Sequence, residues 1–137
     1  GLLYSDKGQN SKAIEMLEEC LKGQMGALGE SHPETLKTTN NLARVYSVMR
    51  EDDKAVELYE KSLEGFKISV GEHHSSTLFT MSNLAEAYKG KKDYDKALVT
   101  LENLLEGLRT FCPSMMDETR NRIRTVKDLK ERHRRMV

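Results

Sequence analysis

Sliding the 137-residue chain along itself by 42 positions brings identical residues together over most of its length. Tyr4, Tyr46 and Tyr88 coincide, as do Lys12, Lys54 and Lys96, then Ala13, Ala55 and Ala97, then Leu21, Leu63 and Leu105. Gly29 falls on Gly71, His32 on His74 and Thr35 on Thr77. A period of this length means one supersecondary unit used repeatedly. Each unit is too small to cover its own apolar face, so neighbours stack into a solenoid. The register divides a single repeat domain into a partial first copy (1–28), two full copies (29–70 and 71–112) and a terminal basic segment (113–137).

Each period reads as two helices. The first runs from about Pro33 to Met49 and again from about Ser75 to Gly90. Ser31 or His32 is placed to cap it, with Pro33 at the first helical position, where a missing N–H costs nothing. The second runs from about Asp53 to Ile68, with Ala55, Leu58, Tyr59, Leu63 and Phe66 on one face at helical spacing. Ala97, Leu101, Leu104, Leu105 and Leu108 repeat that stripe, and Ala13, Met16, Leu17 and Leu21 show it first. The links are short, Arg50-Glu51-Asp52 and Lys91-Lys92, with Gly8 marking the same link in the first copy. Short links make neighbouring helices antiparallel. Met115 to Arg135 is expected to form a capping helix with Ile123, Val126 and Leu129 turned inward. The expected fold is therefore an all-α solenoid of antiparallel helix pairs.

Charge balance narrows the function. Formal net charge is zero, which gives no general attraction to nucleic acid or membrane. Residues 120–137 nevertheless hold eight Lys/Arg against two Asp/Glu. That basic end could contact acidic partners, nucleic acid or an acidic membrane, a less favoured alternative, since it lacks the interleaved aromatics that base stacking needs. Cys20 and Cys112 are too few and too far apart for a disulfide framework, and both fall on apolar repeat positions, so buried thiols are expected. His32, His73 and His74 lack the companions of a metal site. No glycine-rich phosphate loop appears, nor any nucleophile set beside a base. The expectation is a protein that is not an enzyme, without cofactor or small-molecule substrate. With no apolar run of membrane-spanning length and no secretory signal, a cytoplasmic location is expected.

The run Leu42-Ala43-x-x-Tyr46 followed by Ala55-x-x-x-Tyr59 resembles the tetratricopeptide repeat. Its 42-residue period, with Leu28-Gly29-x-x-His32-Pro33-x-Thr35 ahead of Asn41-Leu42-Ala43-x-x-Tyr46, is similar to the repeats of kinesin light chains. The likeness spans about residues 1–110. Arg50 and Lys92 stand where the family has glycine in the link, and the closing proline is absent.

The resemblance implies that the all-α solenoid is a right-handed superhelix, and it implies a role in protein–protein interaction, with a concave groove that receives an extended or partly helical peptide, as in cargo or adaptor recognition. Carried over by position, the groove would be lined by Lys37, Asn40, Asn41, Arg44 and Val48, then by Phe79, Ser82, Asn83 and Glu86. A primary amide donates and accepts at once, matching one peptide unit. Asn41 and Asn83 would thus hold a ligand backbone, with Lys37 and Arg44 favouring acidic residues and Phe79 giving an apolar contact. Alternatively, the same amides bond neighbouring helices. A further alternative is self-association, or stacking within a longer array, through the open start at Leu2-Leu3-Tyr4.

Overall fold

Two loops of the chain are built alike. Gly29 and Gly71 take positive φ values of 94° and 102°, a region open to glycine and strained for other residues. Three residues later His32 and His74 adopt extended backbone. Each accepts a hydrogen bond at Nδ1 from the N–H two residues on, Glu34 at 3.2 Å and Ser76 at 3.1 Å. This satisfies one of the free donors that every helix start leaves. The helices so begun are α2 (Pro33–Val48) and α4 (Ser75–Gly90). Each ends on a left-handed residue, Arg50 (φ 63°) or Lys92 (φ 66°). Neither is glycine, so each turn costs about 1 kcal/mol or more. The chain then folds back as α3 (Asp52–Ser69) and α5 (Tyr94–Phe111).

The structure is a computed structural model that describes the backbone of residues 2–136 and the side chains of residues 8–136. It adds α1 (Leu2–Leu28), a 3-10 turn at Pro113–Met115 and α6 (Met116–Met136). Among the described residues there is no strand, and no helix is long and apolar enough to cross a membrane. Each helix packs on the next in sequence. Helix bounds fall within a residue or two of those expected, with one exception. Gly8 does not end a helix, because α1 runs unbroken through it. Glycine inside a helix costs only about 1 kcal/mol. What ends α2 and α4 is the left-handed residue, and Gly8 does not adopt that conformation. The side chains of Leu2, Leu3 and Tyr4 lie outside the described residues.

The core is a stack of small and large side chains at repeating positions. Ala43, Ala55 and Ala97 are wholly buried, beside Tyr59, Phe66, Leu101 and Leu108. Gly65 in α3 receives Leu36 of α2 so closely that a Cβ there would lie 2.5 Å from Leu36 Cδ2, and Gly107 in α5 receives Leu78 of α4 in the same way. Gly23 holds the equivalent position in α1 and meets nothing. Cys20 corrects the expectation of buried thiols. It is exposed, although its equivalents Ser62 and Leu104 are buried, and Cys112 is half-buried. The reason matches Gly23, since Ser62 is covered by α2, whose carbonyl at Leu36 accepts its hydroxyl at 3.1 Å. Among the described residues no helix covers Cys20 in that way. At the other end Val126 of α6 is buried, Ile123 packs on the core and Leu129 is half-buried, so α6 covers α5.

Curvature follows from which helices meet. α2 touches α4, and Arg122 of α6 reaches α4, whereas among the described residues α1, α3 and α5 make no comparable contact with one another. The array therefore bends toward the side of α2, α4 and α6, which form its inner face.

Candidate functional site

The inner face is best built from its register. Lys37, Asn41, Arg44 and Val48 recur every three or four residues and share one side of α2. All four are exposed or half-exposed, and Val48 leaves 66% of its surface in solvent. Forty-two residues on, the same positions in α4 are Phe79, Asn83, Glu86 and Gly90. Phe79 is 58% exposed, Glu86 is exposed, and Asn83 and Gly90 are half-buried. The structure extends the stripe onto α6, where Asn121, Thr125, Asp128 and Arg132 occupy the next copy of the same positions and are all exposed. The 42-residue offset already contains this row. Sequence reasoning misses it because α6 has lost the Leu-Ala pair that marks the other inner helices.

The two adjacent asparagines of α2 separate cleanly. Asn40, expected in the groove, is instead buried at the junction with α4, where its Nδ2 donates to Thr80 Oγ1 at 2.8 Å. Its Oδ1 has no partner. Thr80 in turn donates to the Ser76 carbonyl at 2.8 Å. The physical reason is angular: one residue along a helix turns a side chain by about 100°, from the groove to the neighbouring helix. Asn41 and Asn83, by contrast, make no side-chain hydrogen bond among the described residues. The role of bonding a neighbouring helix belongs to Asn40.

One copy further on, the same junction is made by a charge. Ser82 stands in the register of Asn40, and Arg122 of α6 in that of Thr80. Arg122 Nη1 donates to Ser82 Oγ at 2.7 Å, and its Nη2 donates to the Ser82 carbonyl at 2.9 Å and to Glu86 Oε1 at 3.1 Å. Charge-assisted bonds of this kind are stronger than neutral ones. Ser82 and Glu86, expected as ligand contacts, are thus tied to α6. Sequence reasoning does not single out Arg122, because a basic helix gives no sign of which arginine turns inward.

Beside this clamp lies a cavity of about 330 Å³ between α4, the end of α5 and the start of α6. Leu78, Phe79, Leu104, Leu108, Phe111 and Met115 give it an apolar lining, with Ser82, Glu118 and Arg122 at its polar edge. Phe111 and Met115 are, like Phe79, about half exposed. Sites that take a side chain or a small ligand have this make-up, an apolar wall with a few placed polar groups.

Buried and half-buried tyrosines brace the face from behind. Burial pushes the Tyr59 phenol up to about 12, partly opposed by the positive charge of Arg44. Tyr46 and Tyr88 are also raised, first by burial and then by donating to Glu18 (3.1 Å) and Glu60 (2.6 Å) on the preceding outer helix. These phenols stay protonated and serve packing. Among the described residues no cluster of three or more metal-ligating side chains occurs.

A family model for the tetratricopeptide repeat matches residues 1–68 and 49–110. The chain belongs to this family. Such repeats act in protein–protein interaction and are typically non-catalytic scaffolds. Among solved structures, the chain is similar to BtubC (BKLC) from P. vanneervenii, with a TM-score of 0.81 and 25% identity over 89% of this chain and 50% of that one. It is equally similar to a Podospora anserina putative kinesin light chain with nearly identical TPR-like repeats, with a TM-score of 0.81 and 25% identity over 93% of this chain and 62% of that one. A single-substitution variant of the latter gives the same values. The right-handed superhelical solenoid expected from the repeat is the architecture these proteins share with the chain, and the likeness to kinesin-light-chain-type repeats holds. The chain spans 50% to 62% of their lengths. No curated protein matches it.

Proposed function

We propose that the inner face of α2, α4 and α6 binds an extended or partly helical peptide segment of a partner protein. The observation that carries this reading is that Asn41 and Asn83, whose amides make no side-chain hydrogen bond among the described residues, lie in the same register row as Phe79, which lines the apolar cavity. The amides suit a ligand backbone, and the cavity suits one apolar side chain. Lys37 and Arg44 favour acidic residues at the α2 end. Magnitudes support this division. A hydrogen bond nets about 0.5–1.5 kcal/mol, and a micromolar complex needs about 8 kcal/mol, so the apolar anchor must supply much of the affinity. A scaffold of this kind suits the cytoplasm.

The test is peptide binding by fluorescence polarisation, using libraries of acidic and neutral decapeptides. Ligands of the groove should bind Asn41→Leu/Asn83→Leu at least fivefold more weakly while the thermal transition is unchanged. Unaltered affinity for every ligand would sink the proposal.

A second reading is stacking through α1. It rests on the exposure of Cys20 and Gly23 and on Met16, which is 72% exposed. Sedimentation across concentrations separates the two readings, and a monomer throughout removes the second.

A further inference from the structure

The outer side of the array carries a different kind of site. Because the outer helices splay, a cleft opens between each pair of them, floored by the inner helix between. The two such clefts occupy the same register but are not alike. The one between α3 and α5 measures about 200 Å³ and is lined by Lys67, Glu72, His73, Met81, Asn103 and Glu106. The one between α1 and α3 measures about 350 Å³. Its walls are Leu21, Met25, Leu36, Leu58 and Ile68. Several exchanges make the difference, among them Leu58 for Thr100 and Ile68 for Thr110. Thr39 stands where the later copy has Met81, which hollows the floor, and Met25 stands where it has Lys67, which makes the wall apolar.

The floor also holds an unpartnered group. Thr35 is only 1% exposed, and its Oγ1 has no hydrogen-bond partner. The equivalent Thr77 donates to the Gly71 carbonyl at 2.6 Å. The Thr35 hydroxyl is shut off from solvent, so it adds no polar group to the surface of the cleft. At the mouth, Glu30 pairs with Lys61 at 3.2 Å, while Glu64 has no ion-pair partner among the described residues. Ile68, 73% exposed, extends the apolar wall onto the surface.

We infer that this outer cleft binds a partner peptide through an aliphatic side chain flanked by basic residues. The cavity has room for a bulky aliphatic group and the peptide unit that carries it. A lysine or arginine beside it would meet Glu64. The charge preference is opposite to that of the inner face, where Lys37 and Arg44 favour acidic residues, so the protein would hold two peptides of unlike charge on its two sides.

The test uses a fluorescein-labelled peptide with one leucine between two lysines in a glycine-serine background. It should bind with a Kd below about 1 mM, the range of a single weak anchor. It should also shift the methyl resonances of Met25, Leu58 and Ile68. Thr39→Met, which installs the residue of the later copy, should weaken binding at least tenfold, and Ile68→Ser should do the same from a surface position that cannot disturb the core. Glu64→Gln should weaken it about threefold and flatten its salt dependence. Replacing the lysines by glutamate should abolish binding, and Lys37→Ala/Arg44→Ala should leave it unchanged. Absence of binding at 1 mM, equal binding of the glutamate peptide, or affinities within twofold for both Thr39→Met and Ile68→Ser would overturn the inference. Methyl shifts confined to the Phe79 cavity would do so as well.

Discussion

The pairs α2–α3 and α4–α5 are copies of one unit, and they differ in an orderly way. What holds each unit together is duplicated. A histidine caps the inner helix, a leucine enters a glycine notch, and a tyrosine donates to a glutamate on the preceding outer helix. A lysine lies over that tyrosine in both copies, Lys54 at 5.2 Å and Lys96 at 5.8 Å. What faces solvent or a neighbour is altered, with Lys37 against Phe79, Thr39 against Met81, and Asn40–Thr80 against Ser82–Arg122. Duplicated positions therefore report folding, and divergent ones report what each part of the surface is for. Asn41 and Asn83 are the exception, being duplicated yet bonded to nothing among the described residues, which supports their assignment to a ligand.

The largest expected break in this comparison comes from one substitution made at three equivalent glycines. Gly65→Ala and Gly107→Ala drive a methyl group into Leu36 or Leu78 and should destabilise by about 1–3 kcal/mol. Gly23→Ala has open space and removes a poor helix former, so it should stabilise by up to about 1 kcal/mol. Urea unfolding gives the sign in each case, and equal effects at the three sites would show that the notch is not what distinguishes them.

A smaller effect is expected at the junctions between inner helices. Arg122→Ala removes three charge-assisted contacts and leaves Glu86 without its partner on α6, for a loss of about 1–2 kcal/mol. Asn40→Ala deletes one bond together with an orphaned oxygen, so it should cost less than about 1 kcal/mol. If the two losses are equal in a thermal melt, the charged junction is no firmer than the neutral one.

The third difference shows only in alkali. Tyr59 of α3 corresponds to Leu101 of α5. The folded phenol is held up to about 12, above the unfolded value near 10. Below about pH 10 both states keep the proton and stability is unaffected. Above it the unfolded chain releases a proton that the folded chain retains, so stability falls by up to about 1.4 kcal/mol per pH unit until about pH 12. Tyr59→Phe should flatten that slope in pH-dependent unfolding, and an unchanged slope would assign the effect to Tyr46 and Tyr88.

The repeat makes the architecture readable almost to the residue, because helix period, caps and small-residue contacts all recur at 42. Sequence reasoning fails where a single residue is asked to carry direction. Gly8 suggests a break, but breaking needs the left-handed turn that Arg50 and Lys92 supply. Asn40 sits next to Asn41 in sequence, yet adjacent residues on a helix point different ways. Cys20 is expected inside on the strength of Ser62 and Leu104, whose cover comes from the inner helix of their own pair. The offset does contain the missing junction. Asn40–Thr80 and Ser82–Arg122 are each 40 residues apart, and that second spacing describes how copies touch rather than how they resemble each other.

The row of equivalent positions on α2, α4 and α6 also acts as a ruler. Packed helices stand about 8–10 Å apart, and an extended chain advances about 3.3 Å per residue. A peptide laid across the inner face would therefore pass one helix roughly every third residue. Inserting a single residue between two anchors of such a peptide would put the second out of phase, so the array would measure the spacing of its ligand as well as its composition.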